Sequence, residues 1–152
     1  DPRFILDNHL GRLAAHLRML GFDCLYRNDY QDEELAEVSA AQGRILLTRD
    51  RCLLMRKSVL RGRLLRSRQS DEQVTEILLR YNLTSLVQPF KRCIRCNGLL
   101  QPVDKALIDH TLQPLTRQYF DDFCRCDLCG QVYWKGSHYA RMLNTIKKAA
   151  AG

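Results

Sequence analysis

Four cysteines carry the clearest chemical signal in the chain. Cys93-x-x-Cys96 and Cys126-x-x-Cys129 form two knuckles, the spacing with which four thiolates surround a tetrahedral zinc. The 29 residues between the knuckles exceed the usual gap, so an ordered insertion is expected there. Cys124 offers a competing donor through Cys124-x-Cys126, and the two-residue gap that matches the first knuckle favours Cys126 and Cys129. A four-cysteine site has no open coordination position, so this zinc is structural and not a reaction centre. The alternative is a set of unrelated buried thiols or a redox pair.

A second constellation is carboxylate. Asp7 follows the apolar run Phe4-Ile5-Leu6, Asp50 follows Ile45-Leu46-Leu47-Thr48, and Asp32 lies in the loop or first turn after the run Phe22–Tyr26. If the three runs are parallel strands, their carboxyl ends bring the three acids to one edge, where open sheets collect ligands. Such acids repel one another but bind Mg²⁺ or Mn²⁺ well, leaving coordination positions for water and phosphate oxygens. Arg12, Arg49 and Arg51 flank them. The alternative for each acid is a helix cap, a common place for Asp.

Charge points to an anionic partner, with 24 Lys and Arg against 17 Asp and Glu and a pI near 9.2. Eight basic residues, among them Arg61, Arg63, Arg66 and Arg68, lie between Arg49 and Arg68 against the single acid Asp50. Nucleic acid is the expected partner, and a merely solvated face is the alternative. Seven cysteines and no hydrophobic leader segment argue against a secreted disulfide framework, so an intracellular location is expected. The apolar runs are too short to span a bilayer. Because the chain begins at Asp1, further domains of a longer polypeptide are also expected partners.

The elements that must position these groups read as an alternation. A strand ending at Asp7 leads into a helix with Leu10, Leu13, Ala14, Leu17 and Leu20 on one face, closed by Gly21, with Arg18 in its last turn beside the helix dipole. A second strand follows, then a helix over Asp32–Gln42 opened by Asp29 and Asp32, with Leu35, Val38 and Ala41 as its stripe. Ile45–Thr48 is the third strand, Arg51–Ser58 a short helix and Arg63–Arg66 a fourth strand. Ser70 and Gln73 read as a capping box for a helix that buries Val74, Ile77, Leu78 and Tyr81. Such alternation implies right-handed crossovers and a parallel sheet with flanking helices. At Gln88-Pro89 the pattern changes, giving an α/β domain over 1–88 and a cysteine-rich module over 89–152 that ends in an amphipathic stretch, Ser137–Lys148.

These motifs together resemble a known family. Asp7-x-x-Leu10-Gly11-Arg12-Leu13-Ala14, Leu17-Arg18-Met19-Leu20-Gly21-Phe22-Asp23, Asp32-Glu33-Glu34-Leu35 and Leu46-Leu47-Thr48-Arg49-Asp50-Arg51 resemble the PIN-like ribonuclease domain at the C-terminus of Mut-seven type exonucleases. Arg92-Cys93-x-x-Cys96-Asn97, Cys126-x-x-Cys129 and Tyr133-Trp134-x-Gly136-Ser137-His138 are similar to the zinc ribbon that follows it. The resemblance implies a PIN-like fold and metal-dependent RNA cleavage, with Asp7, Asp32 and Asp50 at the family's acidic positions. Many PIN-like nucleases use a fourth acid; only Asp71 or Glu72 is well placed here, and the position stays open. His138 suits a phosphate contact or a structural role at a helix start. Trp134 and Tyr133 suit stacking on bases or packing of the ribbon on the α/β domain. The rival to a nuclease is an RNA- or protein-binding module of a larger enzyme, with a metal site too weak to turn over.

Overall fold

The computed structural model describes the backbone of residues 1–151 and the side chains through Lys148. Its elements, in chain order, are β1 (Phe4–Leu6), α1 (Gly11–Met19), β2 (Cys24–Leu25), α2 (Asp32–Gln42), β3 (Ile45–Thr48), α3 (Arg51–Leu54), β4 (Gly62–Leu64) and α4 (Ser70–Arg80). There follow β5 (Leu100–Val103), α5 (Lys105–Ile108), α6 (Pro114–Tyr119), β6 (Phe123–Cys126), β7 (Val132–Tyr133) and α7 (Ser137–Ala151).

The first four strands form a parallel sheet in the order β2-β1-β3-β4. Strands β1 and β3 are central and buried along their whole length, as the continuous apolar runs require. Alternation along the strands then divides the core. Phe4, Leu6, Ile45 and Leu47 face α1 and α4, while Ile5 and Leu46 face Leu35 of α2 and Leu53 of α3. The result is a sheet sandwiched between two helical layers, the parallel α/β architecture expected of a PIN-like domain. In α2 only Leu35, Ala36 and Ser39 are buried; Ala41 is exposed, so the stripe is one turn shorter than the sequence pattern implied.

The ends of the elements differ from the expectation in several places. Helix α2 has the expected bounds, but Gln31, not Asp29, stands as its N-cap; the Gln31 N–H donates to Glu34 at 3.1 Å, while Asp29 pairs with Arg27. Gln69 precedes α4 with no side-chain cap, because Gln73 turns inward and donates to the Ser67 carbonyl. Strand β4 begins one residue earlier than expected, and α3 is a single turn. At the end of α1 the expectation holds: Gly21 (φ +96°) sends its N–H to the Arg18 carbonyl and Phe22 sends its own to Leu17, a Schellman closure. A Cβ on Gly21 would also lie 2.4 Å from the Gln88 carbonyl oxygen, so only glycine fits.

The cysteine-rich part is an antiparallel sheet, β5-β6-β7, with α5 and α6 as the ordered insertion between the knuckles. It is bolted to the α/β part by polar groups. Arg18, 5% exposed, lies in the last turn of α1 as expected, and its guanidinium donates to the carbonyl of Cys24 (2.8 Å) and, across the junction, to that of Ile94 (2.9 Å). Asn97, left-handed at φ +70°, donates to Asp23 and accepts from the Cys24 N–H. Asp23 also pairs with Arg44 at 2.8 Å, so one carboxylate holds a core arginine and the ribbon together. Helix α7 returns to the first core, where Met142 is buried beside Val74, Ile77 and Leu78.

Candidate active site

The carboxyl ends of β1 and β3 are adjacent because the strands pair directly, Leu6 opposite Leu47. Asp7 and Asp50 therefore emerge side by side. Asp32 is the first residue of α2, reached from the end of β2, and all three acids line one open cleft of about 790 Å³. Arg12, Arg49 and Arg68 line it too, as do Ser70 and Gln73 from α4. Among the cleft-lining residues the carboxylates are these three. Glu72 instead accepts from the Ser67 hydroxyl, and Asp71 accepts from the Glu72 N–H.

Short-range geometry gives Asp7 and Asp50 defined local partners. The Thr48 hydroxyl donates to Asp7 Oδ2 at 2.8 Å and accepts from the Asp50 N–H at 2.9 Å. Asp50 Oδ1 accepts from the Cys52 N–H at 2.9 Å, so this acid does cap α3. Capping uses one carboxylate oxygen and leaves the other available. Asp32 is exposed at the positive end of α2. The carboxylates are spread around the cleft: among the described residues only the cysteine cluster has three or more donors all within 4.8 Å of one another. Mg²⁺ and Mn²⁺ keep several waters and take one or two carboxylates directly, so a spread trio fits a hydrated ion.

Helix ends add to the site. α1 and α4 both begin at the cleft, through Gly11 and Arg12 in the one and Gln69 and Ser70 in the other; neither Leu10 nor Gln69 caps its helix with a side chain, and in α4 the Glu72 N–H is taken by Asp71. Helix N-termini are suited to anions. Gly11 is there because Tyr26 lies on it: a Cβ would sit 3.0 Å from the tyrosine oxygen. That hydroxyl donates to the Asn8 carbonyl at 2.6 Å and the Asn8 amide to Tyr30, which fixes the turn after Asp7.

The basic band divides when folded. Arg49 and Arg68 line the cleft, and Arg49 also donates to the Arg66 carbonyl. Arg51 and Arg66 are exposed nearby, in the first turn of α3 and just after β4. Arg63 is tied to Glu76 at 2.9 Å. Arg61 precedes β4, at the amino edge of a parallel sheet, opposite the acids. His138 lies outside this cleft, at the start of α7 and beside Arg141.

Thr48, Asn8, Tyr26 and Gln73 were not foreseen as site residues. Thr48 alone carried a sequence signal, since a Thr two residues before an Asp readily accepts that residue's N–H in a turn.

The cysteines meet as the knuckle spacing requires. The Sγ atoms of Cys93, Cys96, Cys126 and Cys129 all lie within 4.8 Å of one another, with Cys93–Cys129 at 3.6 Å and Cys96–Cys126 at 3.4 Å. A tetrahedral zinc with bonds of about 2.3 Å needs sulfurs roughly 3.8 Å apart, so the donor set fits. Burial pushes the Cys126 thiol up, but the N–H groups of Cys129 and Leu128 aimed at it bring it down to about 7, while burial in the same cluster raises Cys96 to about 12. Tyr133 holds the first knuckle, its hydroxyl 3.1 Å from Cys93 Sγ and accepting from the Ile94 N–H. Cys124 is outside the cluster, paired with Tyr133 in the register of β6 and β7.

A parallel sheet carrying carboxylates at its carboxyl edge, joined to a ribbon whose four clustered cysteines could hold a metal ion, is the class defined by fold and site. The family model described as the Mut7-C RNAse domain matches residues 2–146, and the chain belongs to that family. No curated protein and no solved structure matches the chain. Among the described residues no helix is long and apolar enough to cross a membrane.

Proposed function

We propose that the protein is a metal-dependent ribonuclease that hydrolyses phosphodiester bonds of RNA at the cleft formed by Asp7, Asp32 and Asp50. The observation that carries this reading is the meeting of three carboxylates, three arginines and two helix N-termini in one cleft. A bound Mg²⁺ or Mn²⁺ would supply an activated water and positive charge for the phosphate. The chain's own residues do the rest. Arg12, Arg49 and Arg68 neutralise the backbone on either side of the reacting phosphate, and the helix starts direct N–H groups at its oxygens. Thr48 keeps Asp7 and the Asp50 backbone in register. Zinc at the four cysteines holds the ribbon's fold and takes no part in the reaction.

The lack of a fourth carboxylate in the cleft lining favours a second reading, in which the chain binds RNA or protein for a larger enzyme and turns over weakly. Labelled single-stranded RNA and DNA, incubated with the pure chain with and without Mn²⁺, separate the two. Metal-dependent cleavage of RNA supports the nuclease; saturable binding without cleavage supports the module.

A further inference from the structure

We infer that a second cavity, between α1, the ribbon and the start of α7, binds an unpaired nucleobase of the strand whose phosphates lie in the acidic cleft. This deepens the ribonuclease reading and rests on it for the identity of the strand. The cavity has a volume of about 490 Å³, in the range that takes a single nucleotide. Arg12 lines both cavities, and His16, one helical turn further along α1, lines only the second. A strand held at the acids and passing Arg12 is led directly into it.

The chemistry of the walls selects the occupant. Phe90, Trp134 and Tyr139 contribute aromatic rings, with Phe90 and Tyr139 centred 5.4 Å apart and Trp134 backed by Phe123 at 6.0 Å. Arg92, Arg95 and His138 surround them, and among the described residues no carboxylate lines the cavity. Rings that offer a face to stack on, framed by cations, suit a base and its phosphate. Two polar atoms of the wall, His16 Nδ1 and Arg92 Nε, are buried without a hydrogen-bond partner. Groups left in that state are costly, and a base edge can satisfy them after a small side-chain turn. Burial holds His16 below its ordinary pKa, so its neutral ring has one donor and one acceptor for such an edge.

Trp134 is the chain's one tryptophan, so its fluorescence reports on this cavity alone. The experiment titrates the zinc-loaded Asp50→Asn protein, without added divalent ion, with an eight-nucleotide oligouridylate and with an abasic strand of equal length. The expected result is saturable quenching by the oligouridylate and at least fivefold tighter binding than the abasic strand. Tyr139→Leu and Phe90→Leu should each weaken the oligouridylate about fivefold or more while leaving the abasic strand unchanged. Equal affinity for the two strands, binding that leaves Trp134 unquenched, or no binding overturns the inference. So does an acidic peptide that quenches Trp134 and displaces the RNA, which would make the cavity a protein site. Should Tyr139→Leu fail to fold, the two strands on the Asp50→Asn protein still decide. Wild-type cleavage is read separately: quenching without cleavage keeps the base pocket and removes the nuclease, and cleavage without quenching does the reverse.

Discussion

The hydroxyl of Thr48 donates to Asp7 Oδ2 at 2.8 Å from a side chain that is wholly buried. The same oxygen accepts the Asp50 N–H, so one group spans the two strands that carry the central acids. Thr48→Val keeps the shape but leaves that N–H and one carboxylate oxygen unserved. It should cost about 1–3 kcal/mol of stability and lower cleavage roughly tenfold to a hundredfold. Thr48→Ser should restore most of the activity. Equal rates for Val and Ser would show that the hydroxyl does not position the acids.

Phosphate contact should follow the cleft and not the sequence run. Arg49→Gln and Arg68→Gln should each flatten the salt dependence of RNA binding by about 0.7 in log–log slope, the single-strand value per phosphate contact. Arg61→Gln, at the opposite edge of the sheet, should leave the slope unchanged. A flattening by Arg61→Gln equal to that of Arg68→Gln would place the strand elsewhere.

One zinc should copurify with each chain. Cys126→Ser should lose it, because the Cys126 sulfur is one of the four clustered donors, and Cys124→Ser should keep it. Elemental analysis of the reduced, freshly purified variants reads the difference directly, and the reverse pattern would reassign the ligand.

Acid should weaken the fold through His16. Its pKa lies below 6.5, chiefly from burial, with Asp71 opposing and Arg12 and His138 reinforcing the shift. Below 6.5 the unfolded imidazole takes a proton that the folded one refuses, so the unfolded state binds more protons and stability falls as pH drops. The full contribution is present above 6.5. Denaturant midpoints at pH 7.5 and 6.0 should differ more in the wild type than in His16→Gln, and an equal difference would remove His16 as the cause.

The sheet was legible in the sequence because Phe4–Leu6 and Ile45–Thr48 are apolar without alternation, the mark of strands buried on both faces. The knuckles were legible because spacing alone puts two thiolates on one turn. The helix caps were not. Asp29 and Ser70 are good caps by type, but Arg27 takes Asp29 and the inward turn of Gln73 removes Ser70 from that role. The last-turn position of Arg18 was legible, but its contact with the ribbon was not: only the arrival of Ile94 makes it a buried clamp. Arg63, one of a basic run by sequence, is withdrawn by Glu76 from a neighbouring helix. Each of these depends on a partner far along the chain, which local pattern does not contain.

The central claim is that the aspartates at the sheet's carboxyl edge hold a catalytic ion. Asp50 also caps α3, and Asn caps nearly as well as Asp, so Asp50→Asn removes charge while keeping the fold. The decisive measurement is Mn²⁺-dependent cleavage of single-stranded RNA by wild type and Asp50→Asn, with melting temperature and zinc content matched. The account predicts that cleavage is abolished in a variant that melts within a few degrees of wild type. Cleavage at the wild-type rate in that folded variant would contradict it.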